Sequence, residues 1–325
     1  YFDHLSLSMF RKFLIFCFIV IVPGVLALTG FLFWGYFYIT RDLPHLTRIE
    51  DYKPPVVSQV FARDGTVIAE FYKERRYPAK LDEVPVYVRN CFLAAEDSTF
   101  YNHPGIDFVS IFRAFVKNMQ TGTAKQGGST ITQQVVKNLL LTSEKKITRK
   151  LKEAILSYQL EQRLSKDDIF EIYLNQIFFG NGAYGIKAAA KLYFHKELGE
   201  LTLAEGAMLA GLPKAPSRYS PISNYDLAKQ RQKYVLGQMV KAQFITEAAK
   251  AEALAEDVVV YRARPQTILH APYYVTEVRR AFAERWGGKF DIDRDGLKIY
   301  TPVDLQADRV AADALRKGVR DVDKR

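Results

Sequence analysis

The sequence predicts a mainly α fold carrying one small β-sheet and one N-terminal apolar helix. Three observations predict it. Apolar residues recur at three- and four-residue spacing almost without a break from about residue 84 to 256. Asp64-Gly65 separates two β-rich runs, a strong hairpin signal. Residues 13–40 contain no charged side chain.

The apolar run comes first along the chain. As a helix it would be roughly 42 Å long at about 1.5 Å per residue, and a bilayer's hydrocarbon core needs only ~30 Å. Arg11 and Lys12 precede it, and Trp34, Tyr36 and Tyr38 lie near its far end, as an aromatic belt would. It exceeds the apolar region of a cleaved signal peptide, and no convincing small-residue cleavage site follows. We read residues 1–45 as a cytoplasmic tail and single-pass anchor, with everything after about residue 41 outside the inner membrane. Arg41 flanks the other side, and a buried soluble helix is the competing reading.

Residues 46–83 read as a polar, proline-bearing connector and a hairpin, VVSQVFARDGTVIAEFYKERR (56–76). A matching strand stands far downstream in RDGLKIYTPVD (294–304), and we expect the two to share a sheet. Between them lie helical patterns: FVSIFRAFVKNM (108–119), ITQQVVKNLLL (131–141), KITRKLKEAILSYQLEQRL (146–164), DDIFEIYLNQIFF (167–179) and LTLAEGAMLAGL (201–212). Residues 226–256 are more charged and read as surface helices. In 106–119 apolar residues cover most of the surface, which fits core packing or a lipid-dipping element.

The chain has 325 residues, enough for about two domains, 48% apolar residues and a net charge of +10. The charge favours anionic partners. No zinc knuckle, RNA-binding core or basic zipper is present, so nucleic acid is set aside. Cys17 and Cys91 form neither a disulfide framework nor a metal-ligand spacing.

Four stretches can carry chemistry. In EDSTFYNHPG (96–105), Glu96 and Asp97 follow a buried-helix pattern, and His103 suits bracing of the turn better than base catalysis. A salt-bridged helix end and a catalytic acid at the mouth of a cleft both fit. In GGSTITQQVVKN (127–138), Thr130 and Gln133 have capping-box spacing; the helix start at Ser129-Thr130 offers an anion site, with Lys137 further along. An ordinary capped helix is the alternative. Lys145, Arg149 and Glu153 line one helix face beside Lys150. That order, base before acid, is the weaker one for helix stability, and it suits a phosphate-bearing substrate. Glu171 and Asn175 are one turn apart before the Gly-rich loop 180–185, which lacks a nucleotide-binding ending. Ser143 to Lys146 matches S-x-x-K, but no K-T-G or S-D-N partner exists.

Together EDSTFYNHPG, GGSTITQQVVKN, RKLKEAILSYQLE, IFEIYLNQIFFGNGAYGIKAAA and LTLAEGAMLAGLPKAPSRYSP resemble, in order and spacing, the five motifs of the peptidoglycan glycosyltransferase family, the N-terminal module of class A penicillin-binding proteins. The resemblance covers about residues 84 to 225. It implies a lysozyme-like glycosyltransferase domain over 84–256 and, over 257–325, a linker towards a transpeptidase domain whose motifs are absent, so the chain reads as a piece of a longer protein. It implies an enzyme at the outer, periplasmic face of the bacterial inner membrane that polymerises lipid II into β-1,4 glycan and releases undecaprenyl pyrophosphate. By motif position Glu96 is the general base and Glu153 the second catalytic carboxylate. Ser129, Thr130, Gln133, Gln134, Lys137, Lys145, Arg149, Lys150 and Asn175 bind substrate, and Asp97 and His103 support the motif. The implied partners are lipid II, the growing glycan, the bilayer and other cell-wall synthesis proteins. No cofactor is read with certainty; Mg2+ or Mn2+ bridging the pyrophosphate, with Glu153 as ligand, is the candidate.

Overall fold

The computed structural model describes residues 54–121, 128–141, 146–261 and 267–324, preceded by 18, 22–27, 29–31, 33–35, 37–38, 40–41 and 43–44. Lys145, Arg11, Lys12 and Tyr36 lie outside the described residues. The described positions of 18–40 are helical, with Phe31, Phe33, Trp34 and Tyr38 exposed. Among the described residues no helix is long and apolar enough to cross a membrane.

The first sheet joins distant parts of the chain. Strand β1 (Ser58–Phe61) pairs antiparallel with β2 (Val67–Phe71), and Gly65 turns between them at φ +84. Its other edge pairs in parallel with β6 (Lys298–Tyr300), Val60 opposite Ile299, as the downstream repeat of the Asp-Gly pattern led us to expect. Val60, Ile68 and Phe71 pack on Val275 and Phe282 of helix α11 (Pro272–Trp286) and on Ile292, forming a small core of their own. A second sheet was not anticipated. Strand β3 (Arg75–Arg76) pairs with β5 (Ala183–Tyr184), which pairs with β4 (Phe178–Gly180), so the Gly-rich loop is a hairpin.

The helical body has the larger core. Its helices are α1 (Val86–Glu96), α2 (Phe108–Thr121), α3 (Ile131–Leu140), α4 (Lys146–Glu161), α5 (Lys166–Gln176), α6 (Ile186–Phe194) and α7 (Leu203–Gly211). The turn α8 (Pro216–Tyr219), then α9 (Tyr225–Lys241) and α10 (Glu247–Ala255), complete it; α12 (Leu305–Asp323) follows β6. Helix starts are set by local chemistry. Thr130 and Gln133, Ser165 and Asp168, and Thr202 and Glu205 each close a capping box, satisfying N–H groups that a helix start leaves free. Phe92 meets Phe179 edge-on at 5.9 Å, and both are fully buried with Phe170 and Leu174.

Two expectations change. Helices α9 and α10 turn their charged faces to solvent, and α10 buries only Ala253, but α9 is anchored more deeply than its charge suggested. Ala228, Gln232, Val235, Leu236 and Met239 form its buried stripe against α7 and α1, and Gln232 donates to the Ala204 carbonyl at 2.7 Å. The charged residues that suggested a surface helix occupy its other face. For α2, the structure exposes Phe108, Val109, Ile111, Phe112 and Met119 and buries Ala114, so core packing does not account for most of its apolar surface.

Candidate active site

Helix α1 ends on two acids, at the negative end of its dipole, where carboxylates weaken a helix. Helix stability therefore does not explain them. Asp97 finds its partners elsewhere: it accepts the Ile131 backbone N–H at 3.1 Å, at the positive start of α3, and lies 3.0 Å from His103 Nε2. The turn behind it is tightly seated. Gly105 has φ +85, and a Cβ there would lie 2.7 Å from the Ser157 carbonyl oxygen on α4. Thr130 donates its hydroxyl to the Gly105 carbonyl at 2.6 Å. Asp97 and His103 thus tie the end of α1 to the start of α3.

Glu96, half-buried, accepts one hydrogen bond, 2.9 Å from Gln134 Nε2 to Oε2. Burial pushes its carboxyl above the usual range; Gln134, Arg231 and Lys214 pull it back, and Asp97 pushes it further up. Five residues towards the start of α3, on the order of 8 Å at 1.5 Å per residue, Ser129 accepts from Lys150 Nζ at 2.7 Å. Lys150 also donates to Glu153 Oε2 at 2.6 Å. Arg149 Nε stands 3.4 Å from Glu153 Oε1, an ion pair without hydrogen-bond geometry. Two cations on one buried carboxylate leave this group a net positive charge, and half of the Lys150 side chain faces solvent. Lys137 is exposed on α3, three residues after Gln134.

Glu96, Asp97, His103, Ser129, Thr130, Gln134, Arg149, Lys150 and Glu153 are therefore gathered around the first half of α3. Two expected substrate contacts have hydrogen-bond partners inside the fold. Asn175 has no free amide group: it accepts from the Ala79 N–H at 2.9 Å and donates to the carbonyls of Ala79 and Glu171 at 2.8 and 3.0 Å. With Glu171, which accepts the Leu81 N–H at 2.7 Å, it clamps the chain entering the helical body. Gln133 is buried, and its side-chain oxygen accepts the Thr130 N–H in the capping box. Glu153, the suggested cation ligand, is held by two basic side chains. Both oxygens of Glu153 are engaged by Lys150 and Arg149, and among the described residues no three His, Cys, Asp or Glu side chains are grouped to hold a metal.

Sequence reasoning missed three groups around Glu96: Lys214, Arg231 and Tyr173. Lys214 stands between prolines after α7, and Arg231 lies over the Tyr234 ring at 4.1 Å on α9. Lys214 lies within the stretch LTLAEGAMLAGLPKAPSRYSP that carries the resemblance, whereas Arg231 lies outside it, and only the packing of α7 and α9 brings either near Glu96. A supporting network lies behind the site. Glu161 accepts from Thr132 on α3 and Lys166 on α5, and Lys166 also donates to the His103 carbonyl at 2.6 Å.

A family model described as transglycosylase matches residues 64–240. Penicillin-binding protein 1A of Rickettsia typhi is 41% identical over 302 residues, covering 92% of this chain and 38% of that protein. Penicillin-binding protein 1A of Neisseria cinerea is 46% identical over 283 residues, covering 87% of this chain and 35% of that protein. The crystal structure of penicillin-binding protein 1A from Haemophilus influenzae aligns with a TM-score of 0.45 and 27% identity, over 78% of this chain and 28% of that one. The chain spans two fifths or less of the length of these relatives.

Proposed function

The chain belongs to the transglycosylase family, and on that premise we propose that it is a peptidoglycan glycosyltransferase that polymerises lipid II and releases undecaprenyl pyrophosphate. One observation carries the reading. A half-buried carboxylate, Glu96, and a paired cation group, Arg149 and Lys150 on Glu153, flank the first half of α3.

The chemistry follows from that placement. The acceptor's sugar 4-hydroxyl is a poor nucleophile, so a base must take its proton as the new bond forms. Glu96 is that base. Burial keeps it basic, and Lys214 and Arg231 help it remain ionised. As the acceptor oxygen bonds to C1 of the donor, the bond from C1 to the pyrophosphate oxygen breaks, its electron pair leaves with the pyrophosphate, and configuration inverts from α to β. The leaving group needs its charge held more than it needs a proton. Arg149, Lys150 and Lys137, with the helix start at Ser129 and Thr130, supply that charge. The described residues group no three carboxylate, His or Cys ligands for a protein-held divalent cation. The apolar run 13–40 and the exposed face of α2 support a single-pass anchor and a second contact with the outer face of the inner membrane, where a polyprenyl substrate resides.

Incubation with lipid II, followed by gel separation of the products, tests this against a glycan-cleaving activity. The proposal expects ladders of glycan from lipid II, suppressed by moenomycin, and no cleavage of isolated glycan strands. Cleavage without polymerisation would overturn it.

A further inference from the structure

Tyr173 sits on α5 with 2% of its surface exposed, stacked on Phe170 at 6.2 Å. Phe170 in turn packs on Phe100, 5.8 Å away and four residues beyond Glu96. Among the described residues the Tyr173 hydroxyl has no hydrogen-bond partner. A buried hydroxyl without a partner costs free energy and calls for a reason. Tyr193 in the same core shows the ordinary arrangement: it donates to the Phe179 carbonyl at 2.8 Å and accepts from Asn181 at 3.1 Å. The acids that act on the Tyr173 phenol through space are Glu96 and Asp97; with burial as the larger cause, they hold it well above its ordinary range. Asp97 is already occupied by His103 and the Ile131 N–H. Among the described residues Glu96 receives one donor, Gln134, on Oε2, which leaves Oε1 for another.

We propose that Tyr173 is a positioning residue for Glu96: its hydroxyl is the donor that reaches the Glu96 carboxylate when substrate fills the cleft, fixes its orientation and keeps it ionised until the acceptor's proton arrives. The inference rests on the reading of Glu96 as base. The other groups facing Glu96 are Gln134 from α3, Asp97 at the end of α1, Lys214 from the loop after α7 and Arg231 from α9. None of them is altered by removing the Tyr173 oxygen.

The test is the pH–rate profile of lipid II polymerisation by the full 325-residue chain in detergent, for the parent, Tyr173→Phe and Tyr193→Phe. Losing a donor to a carboxylate raises its pKa. Tyr173→Phe is expected to move the acidic limb up by about one pH unit, with rates about tenfold lower below the limb, an unchanged KM for lipid II and no loss of thermal stability. Tyr193→Phe, a change of the same size away from Glu96, is expected to leave the limb in place. An unmoved limb in folded Tyr173→Phe, or an equal shift in Tyr193→Phe, would overturn the assignment. Glu96→Gln separates the two readings. Parent-like activity in that variant removes the base itself, whereas an inactive Glu96→Gln with an unmoved Tyr173→Phe limb removes Tyr173 alone.

Discussion

At the scale of single residues, Glu96 stands against the dipole of its own helix. It ends α1 where the dipole opposes a carboxylate, and burial raises its pKa. That has a consequence for stability. A carboxyl raised in the folded chain favours folding while protonated, and the contribution is lost as pH rises from the unfolded value, near 4.5, through the folded one. Glu96→Gln, which cannot ionise, is therefore expected to unfold at higher urea than the parent at pH 7, with the gap closing at pH 4; denaturation at the two pH values reads this. Lys150→Ala removes the bond to Ser129 and one of two cations on buried Glu153. It should raise the KM for lipid II about tenfold, roughly 1.4 kcal/mol, in initial-rate measurements. The acids, the helix start and the cations of α4 were legible in the sequence because each stands in a short local pattern. Lys214, Arg231 and Tyr173 were not, because only tertiary packing brings them to Glu96. Asn175 shows the same limit. An interior polar residue on a helix signals an obligation to hydrogen-bond, and the sequence does not say whether backbone or ligand meets it.

Among the elements, α3 organises the site and α5 holds it in place. Asn175 and Glu171 on α5 grip the backbone at Ala79 and Leu81. Asn175→Ala strands both polar groups of Ala79, which should cost about 2 kcal/mol in urea unfolding and leave the KM for lipid II unchanged where the variant is folded. A weakened KM with unchanged stability would return Asn175 to the substrate site. Helix existence was readable over most of 84–256, since the 3.6-residue period survives wherever one face is buried. The period does not reveal how deep a helix lies, so α9 looked superficial although Val235, Leu236 and Met239 are fully buried. The β3–β5–β4 sheet escaped notice because its strands are two or three residues long, too short for an alternating pattern.

At the scale of the molecule, two hydrophobic cores among the described residues divide the labour. The helical core carries the site, and a small one joins β1 and β2 to α11. Phe282→Ala, which empties part of the small core, should cost it about 3 kcal/mol. Hydrogen exchange would then accelerate in β1 and β2 but not in α3 or α5, with polymerisation unaffected. Pairing of the two sequence ends was foreseeable from the repeated Asp-Gly strand pattern, but the partner helix α11 was not, since its buried side chains, Val275 and Phe282, are too sparse to stand out. The central claim is that Glu96 takes the acceptor's proton beside a cation-held pyrophosphate. The most direct measurement is the initial rate of glycan formation from lipid II by Glu96→Gln, in a preparation shown to be folded. A fall of about 10² to 10⁴ is predicted. A rate equal to the parent's would contradict the account.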